Sequence, residues 1–107
     1  MKYPSSQNCE TILRFKERTP FRIEFIGIFE IEYGYKCGFD FIEIRSGEYA
    51  DSPLIMKECG SEKPQTLTLM GSSVWIRFVS DFYSNYNGFL LKITKVTRSE
   101  CKNQSID

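Results

Sequence analysis

Short alternating runs of apolar and polar residues dominate the chain, and turn-forming residues separate them. In "PFRIEF", Phe21, Ile23 and Phe25 alternate with Arg22 and Glu24. In "SVWIRFVS", Val74, Ile76 and Phe78 alternate with Trp75, Arg77 and Val79, and in "GFLLKITKV", Phe89, Leu91 and Ile93 alternate with Leu90, Lys92 and Thr94. A period of two is the repeat of an extended strand with one buried face. "CETILRF", "GFDFIEIRS", "SPLIMKECG" and "QTLTLMG" add further extended candidates, while "ERTP", "YGYKCG", "SGEYADSP", "GSEKP", "MGSS" and "DFYSNYNG" supply the turns between them. No helical stripe exceeds two turns and no internal repeat is found. Roughly seven to nine strands spaced by about eight to twelve residues predict an all-β fold, an antiparallel β-sandwich. One domain over residues 1–97 is expected, with the polar tail "TRSECKNQSID" leaving it from about residue 98.

One position breaks the pattern. In "YKCGFDFIEIRSG", Asp40 falls in register with Ile42 and Ile44, on the side opposite Phe41 and Glu43. A carboxylate aimed into a core costs several kcal/mol unless something pairs with it. Glu32 closes the run "FEIE" eight residues earlier, and Asp81 follows the strand candidate "VWIRFVS". Three acids at strand ends, with Asn, Ser and Tyr nearby, form the hard oxygen set that Ca²⁺ takes. Taken alone, strand-end acids more often cap turns or stay solvated.

Composition narrows the class. The 107 residues are 41% apolar and 15% aromatic, too hydrophobic for a disordered chain. Fourteen basic and fourteen acidic residues cancel without a long basic run, which argues against nucleic acid or an anionic membrane as partner. No apolar run approaches the roughly 18 residues of a membrane span. The opening "MKYPSSQNCE" lacks the apolar centre of a secretory signal, but this assigns no compartment, since Met1 can head an excised segment. Histidine is absent, so Ser-His and Cys-His catalysis are excluded within this chain. A hydrolase built on a carboxylate pair remains as the enzyme alternative.

Cys9, Cys37, Cys59 and Cys101 are widely spaced, with no close pair of the kind zinc sites use. Two disulfides in a secreted or extracellular domain is the reading they favour. "NQS" at 103–105 makes Asn103 a candidate glycosylation acceptor, consistent with that compartment.

Across residues 2–95 the ordered pieces resemble the CUB domain, an extracellular β-sandwich of jelly-roll type. "KYPSSQNC" is similar to its Tyr-Pro…Cys entry, "CGFDFIEIRSG" to its Cys-x-Tyr-Asp-Tyr-x-x-Ile-x-x-Gly core, "SPLIMKECG" to its Cys-Gly turn, and "IRFVSD…NGFLLKI" to its Phe-x-Ser-Asp…Gly-Phe ending. The resemblance implies a Ca²⁺ site of Glu32, Asp40 and Asp81, completed from the loop holding Tyr83, by Ser84 or Asn85, with Tyr3 hydrogen-bonding the acids. It implies a non-catalytic recognition module in which those acids accept a Lys or Arg of an extracellular protein ligand or receptor subunit. Tyr33, Tyr35, Phe82, Tyr83 and Tyr86 flank the loops as candidate ligand contacts, although each alone is more often loop packing. "SPLIMKECG" and "FEIEYGYKCGFD" also resemble, faintly, the first CUB domain of neuropilin and tolloid-like accessory proteins.

The chain departs from the family pattern in its cysteines. Cys37 and Cys59 match the family's second pair, a bridge worth about 3 kcal/mol by loop closure. Cys9 matches the second member of the first pair, but its upstream partner and the family's first strand are missing or shortened. Cys101 either bonds Cys9 in its place or opens a following module unpaired. An exposed edge where the first strand is lost would invite a homodimer. A Ca²⁺-independent carbohydrate-binding or self-associating domain, as in the spermadhesin relatives, is the rival reading.

Overall fold

The computed structural model describes residues 7–81 and 86–96. Its strands are β1 (Asn8–Phe25), β2 (Phe41–Ser46), β3 (Leu54–Glu58), β4 (Leu67–Val79) and β5 (Leu91–Lys95), with a single 3₁₀ turn at Tyr35–Cys37. All pairings are antiparallel, in the order β3-β2-β4-β1-β5.

The seven extended candidates become five strands because two pairs of them are continuous. β1 absorbs "CETILRF" and "PFRIEF", and β4 absorbs "QTLTLMG" and "SVWIRFVS". The apparent turns "ERTP" and "MGSS" are bends within these strands. Pro20 is tolerated there because its ring removes only an N–H; its carbonyl still accepts the Val96 N–H at 2.9 Å.

The bend has a register signature. Arg14 pairs with Ser73 but Thr19 pairs with Gly71, so β1 carries extra residues between those points. Extra residues on one strand kink a ladder and increase its twist. Here the kink folds the ladder over itself. The first half of β1 and the second half of β4 join β2 and β3 in one layer, while their other halves join β5 in a second. Phe15 and Phe21 stack at the fold, with centroids 5.2 Å apart.

The core is what these two layers enclose. Phe21, Ile23 and Phe25 of the second layer pack in one cluster with Ile42, Ile44, Met56 and Val74 of the first. The alternation is therefore obeyed: Ile42, Ile44 and Val74 are fully buried. At the end where the sandwich meets its long loops, Phe29, Phe25, Phe89 and Phe78 form a chain of edge-to-face contacts at 5.1, 5.9 and 5.2 Å. Such geometry adds to plain burial.

The outward face also holds a charge. Lys57, Glu43, Arg77 and Glu10 lie side by side across four strands. Glu43 is buried, and its carboxylate takes the Arg45 Nε at 2.6 Å, with Arg77 Nη1 at 3.8 Å. Alternation places Glu43 on the solvent side, with Arg45 on the same face two residues on.

The core assignment is tested by truncation. Ile44→Ala should lower the unfolding free energy by about 2–5 kcal/mol, because it leaves a cavity in a sealed site. Leu54→Ala, at a half-exposed edge residue, should cost under about 0.5 kcal/mol. Urea unfolding of both variants measures the contrast.

Candidate metal centre

Asp40 is fully buried, as its register requires, and stands just before β2. Its Oδ1 accepts the backbone N–H of Asp81 at 2.8 Å, which joins the start of β2 to the end of β4. Just upstream, Ser80 is fastened to Gln7: its N–H donates to the Gln7 carbonyl at 2.9 Å, and its Oγ accepts the Gln7 N–H at 2.8 Å. Asp81 thus leaves β4 from a fixed point.

Glu32 arrives by another route. Glu30 and Gly88 exchange backbone hydrogen bonds at 2.7 and 2.8 Å, and Ile31 and Gly60 exchange theirs at 2.9 and 2.8 Å. The Glu30 carboxylate also accepts from Asn87, from the backbone N–H at 2.8 Å and from Nδ2 at 2.9 Å. Gly60 (φ 87°) and Gly88 (φ 85°) hold left-handed conformations that suit glycine. These paired bridges deliver Glu32 beside the other two acids.

Carboxylate oxygens of Glu32, Asp40 and Asp81 lie within 4.8 Å of one another. Burial, then the charges of Asp40 and Asp81, then hydrogen bonds to both, push the Glu32 carboxyl up from 4.5 to about 7. Three anions this close cannot all ionise easily in a desolvated place. A proton on Glu32 is one relief; a hard divalent cation is the other. The donor set is all oxygen, with no sulfur or imidazole, and suits Ca²⁺.

The segment between Glu32 and Asp40 is tied down as well. Cys37 and Cys59 are bridged with Cα atoms 5.6 Å apart, the pairing implied by the resemblance. Lys36 and Cys37 both have positive φ (52°), uncommon for residues other than glycine. Gly34 lies beneath the Phe39 ring, where a Cβ would come within 2.4 Å of a ring carbon. Tyr33 and Tyr35, between Glu32 and Asp40 in the chain, are exposed, and Tyr86 is half-buried. Phe39 is a further exposed aromatic on this rim. Its parity with Phe41 places it on the face opposite Asp40, which period-two alternation does not mark as a contact.

Other expected residues fall elsewhere. Tyr3, Phe82, Tyr83, Ser84, Asn85, Cys101 and Asn103 lie outside the described residues. Cys9 is an exposed thiol 3.4 Å from Gln7 Oε1 among the described residues, and a Cys9–Cys101 bridge would involve a residue outside them.

The CUB domain family model matches residues 1–93. The chain belongs to the CUB domain family. It is 39% identical to human neuropilin-2 over 102 residues, covering 92% of this chain and 11% of that protein. It is 31% identical to human inactive serine protease PAMR1 over 102 residues, again covering 92% of this chain but 14% of the relative. The chain thus spans a small fraction of these curated relatives. Among solved structures, the MASP-1 CUB2 domain bound to Ca²⁺ superposes with a TM-score of 0.77 at 27% identity, covering 87% of this chain and 81% of that one. The human MASP-1/3 CUB1-EGF-CUB2 structure, at 23% identity, TM-score 0.75 and 96% and 40% coverage, supports the fold alone.

CUB domains are β-sandwich modules of protein recognition found in extracellular or secreted proteins, and they are non-catalytic. Among the described residues no helix is long and apolar enough to cross a membrane. The residues of this CUB domain that would hold a cation are therefore three acids whose geometry and chemistry fit one.

The shared proton gives a signed prediction. Without a divalent cation, folded Glu32 keeps its proton to about pH 7, whereas the unfolded chain releases it near 4.5. Between those values the folded state binds more protons, so stability falls as pH rises and levels off above the folded value. In chelator, the melting temperature should be higher at about pH 5 than at about pH 7.5. Glu32→Gln should remove most of that fall; an equal fall in the variant would assign it to another group.

Proposed function

We propose that this CUB domain is an extracellular protein-recognition module that binds Ca²⁺ through Glu32, Asp40 and Asp81, with Ser84 or Asn85 completing the set. The observation that carries the reading is the convergence of the three carboxylates within 4.8 Å. A Ca²⁺-bound CUB domain among the similar structures supports it.

The cation would neutralise the mutual repulsion of the acids and hold their oxygens in fixed directions. The chain's own groups do the rest. Asp40 has one oxygen engaged by the Asp81 N–H, which orients its carboxylate. Asp81 and Glu32 sit closer to solvent than fully buried Asp40, so an oxygen of either can accept a Lys or Arg from a partner. Charge-assisted hydrogen bonds of this kind are strengthened by fixed geometry. Tyr33, Tyr35 and Phe39, all more than half exposed, lie between Glu32 and Asp40 in the chain and would offer apolar contact area, the residue type enriched where proteins meet. An extracellular ligand or receptor subunit presenting a basic side chain among apolar ones is the expected partner. The similarity to neuropilin-2 supports an extracellular context.

Calorimetric titration with Ca²⁺ at neutral pH tests the site. The wild type should show one binding event, and Asp81→Ala should abolish it or weaken it at least about tenfold. No heat in the wild type would sink the proposal.

A further inference from the structure

The acids of the candidate site stand on separate segments, and a short closed circuit joins two of them. Glu32 follows Ile31, which exchanges two backbone hydrogen bonds with Gly60 at 2.9 and 2.8 Å. Gly60 follows Cys59, Cys59 is bonded to Cys37, and Cys37 stands three residues before Asp40. Without the disulfide, the seven residues from Tyr33 to Phe39 would be the short connection between these carboxylates. With it, the connection is a ring closed on one side by a covalent bond and on the other by a paired bridge. On its far side, the neighbouring Glu30–Gly88 bridge and the Glu30–Asn87 contacts fasten the same segment to the chain that returns from Asp81.

We infer that the Cys37–Cys59 disulfide and the Ile31–Gly60 bridge act together as a positioning clamp that sets the Glu32–Asp40 spacing, and so govern the cation affinity of the site. The inference rests on the Ca²⁺ reading above. Three observations favour it over a purely stabilising role. The disulfide lies at the acid end of the sandwich: Cys59 packs against the core, while Cys37 is three residues from Asp40. Cys37 has a left-handed φ of 52°, a conformation that its surroundings must impose. Gly60, at φ 87°, lies two residues past β3 and forms the bridge to Ile31. Elements that orient metal ligands without touching the ion commonly change affinity by 10- to 100-fold when removed.

Two variants separate the parts of the clamp. Cys37→Ser/Cys59→Ser breaks the covalent side. Gly60→Ala keeps the disulfide, and its added Cβ meets nothing closer than 3.7 Å, so it strains the bridge through φ alone. In calorimetric Ca²⁺ titrations the double variant should bind about tenfold or more weakly, and Gly60→Ala a few-fold more weakly. Leu54→Ala, at the exposed start of β3 and outside the clamp, should keep wild-type affinity. A folded double variant with wild-type Ca²⁺ affinity overturns the clamp. If the double variant does not fold, Gly60→Ala decides in the same way, weaker affinity supporting and unchanged affinity overturning. Should the wild type bind no Ca²⁺, the cation reading fails, and hydrogen exchange in the metal-free protein decides the clamp. Faster exchange of the Ile31 and Gly60 amides in the double variant supports coupling of disulfide to bridge; unchanged protection overturns it.

Discussion

Three carboxylates drawn within 4.8 Å of each other form an arrangement that electrostatics opposes and that only the surrounding backbone can impose. Much of the loop architecture at that end of the sandwich is intelligible as the means of imposing it. Asp40 is driven inward by the strand it begins, since its neighbours Ile42 and Ile44 must be buried. Asp81 is held by the Asp40 carboxylate at its own N–H and by the Gln7–Ser80 pair behind it. Glu32 is brought in by two bridges, each to a glycine with positive φ. Repulsion among the acids is thereby converted into a demand for a proton or a cation, and this gives the site its chemistry.

The layered fold supplies the rigid ends on which those loops stand. Its central device is the bend between Arg14 and Thr19, which lets β1 and β4 serve both layers. The aromatic chain from Phe29 through Phe25 and Phe89 to Phe78 packs at strand ends leading toward Glu32 and Asp81. Core packing and site geometry therefore meet at the same residues, and close packing in a core transmits displacement.

The inward register of Asp40 was legible from period-two alternation alone, because a strand's faces are set by parity. The grouping of Asp40 with Glu32 and Asp81 came from the ordered resemblance to CUB domains, since no local rule links positions so far apart. The continuity of β1 and β4 was not legible. "ERTP" and "MGSS" contain the residues that usually end strands, and only tertiary pairing keeps them extended. The shielding of Glu43 had a faint signal, Arg45 two residues on along the same face, but Arg77 joins it from another strand. The bridges at Gly60 and Gly88 left no periodicity to read, being single pairings. Their trace was the glycines themselves, whose φ values only the structure reveals.

The double membership of β1 and β4 bears on how the domain comes apart. In a sandwich made of two independent sheets, one sheet can peel away and leave the other briefly intact. Here the two longest strands run from one layer into the other, so there is no seam along which the layers can separate without breaking strands common to both. Loss of either layer strips the shared core from the other. Such a module should behave under load as a single mechanical unit, yielding whole rather than by stages.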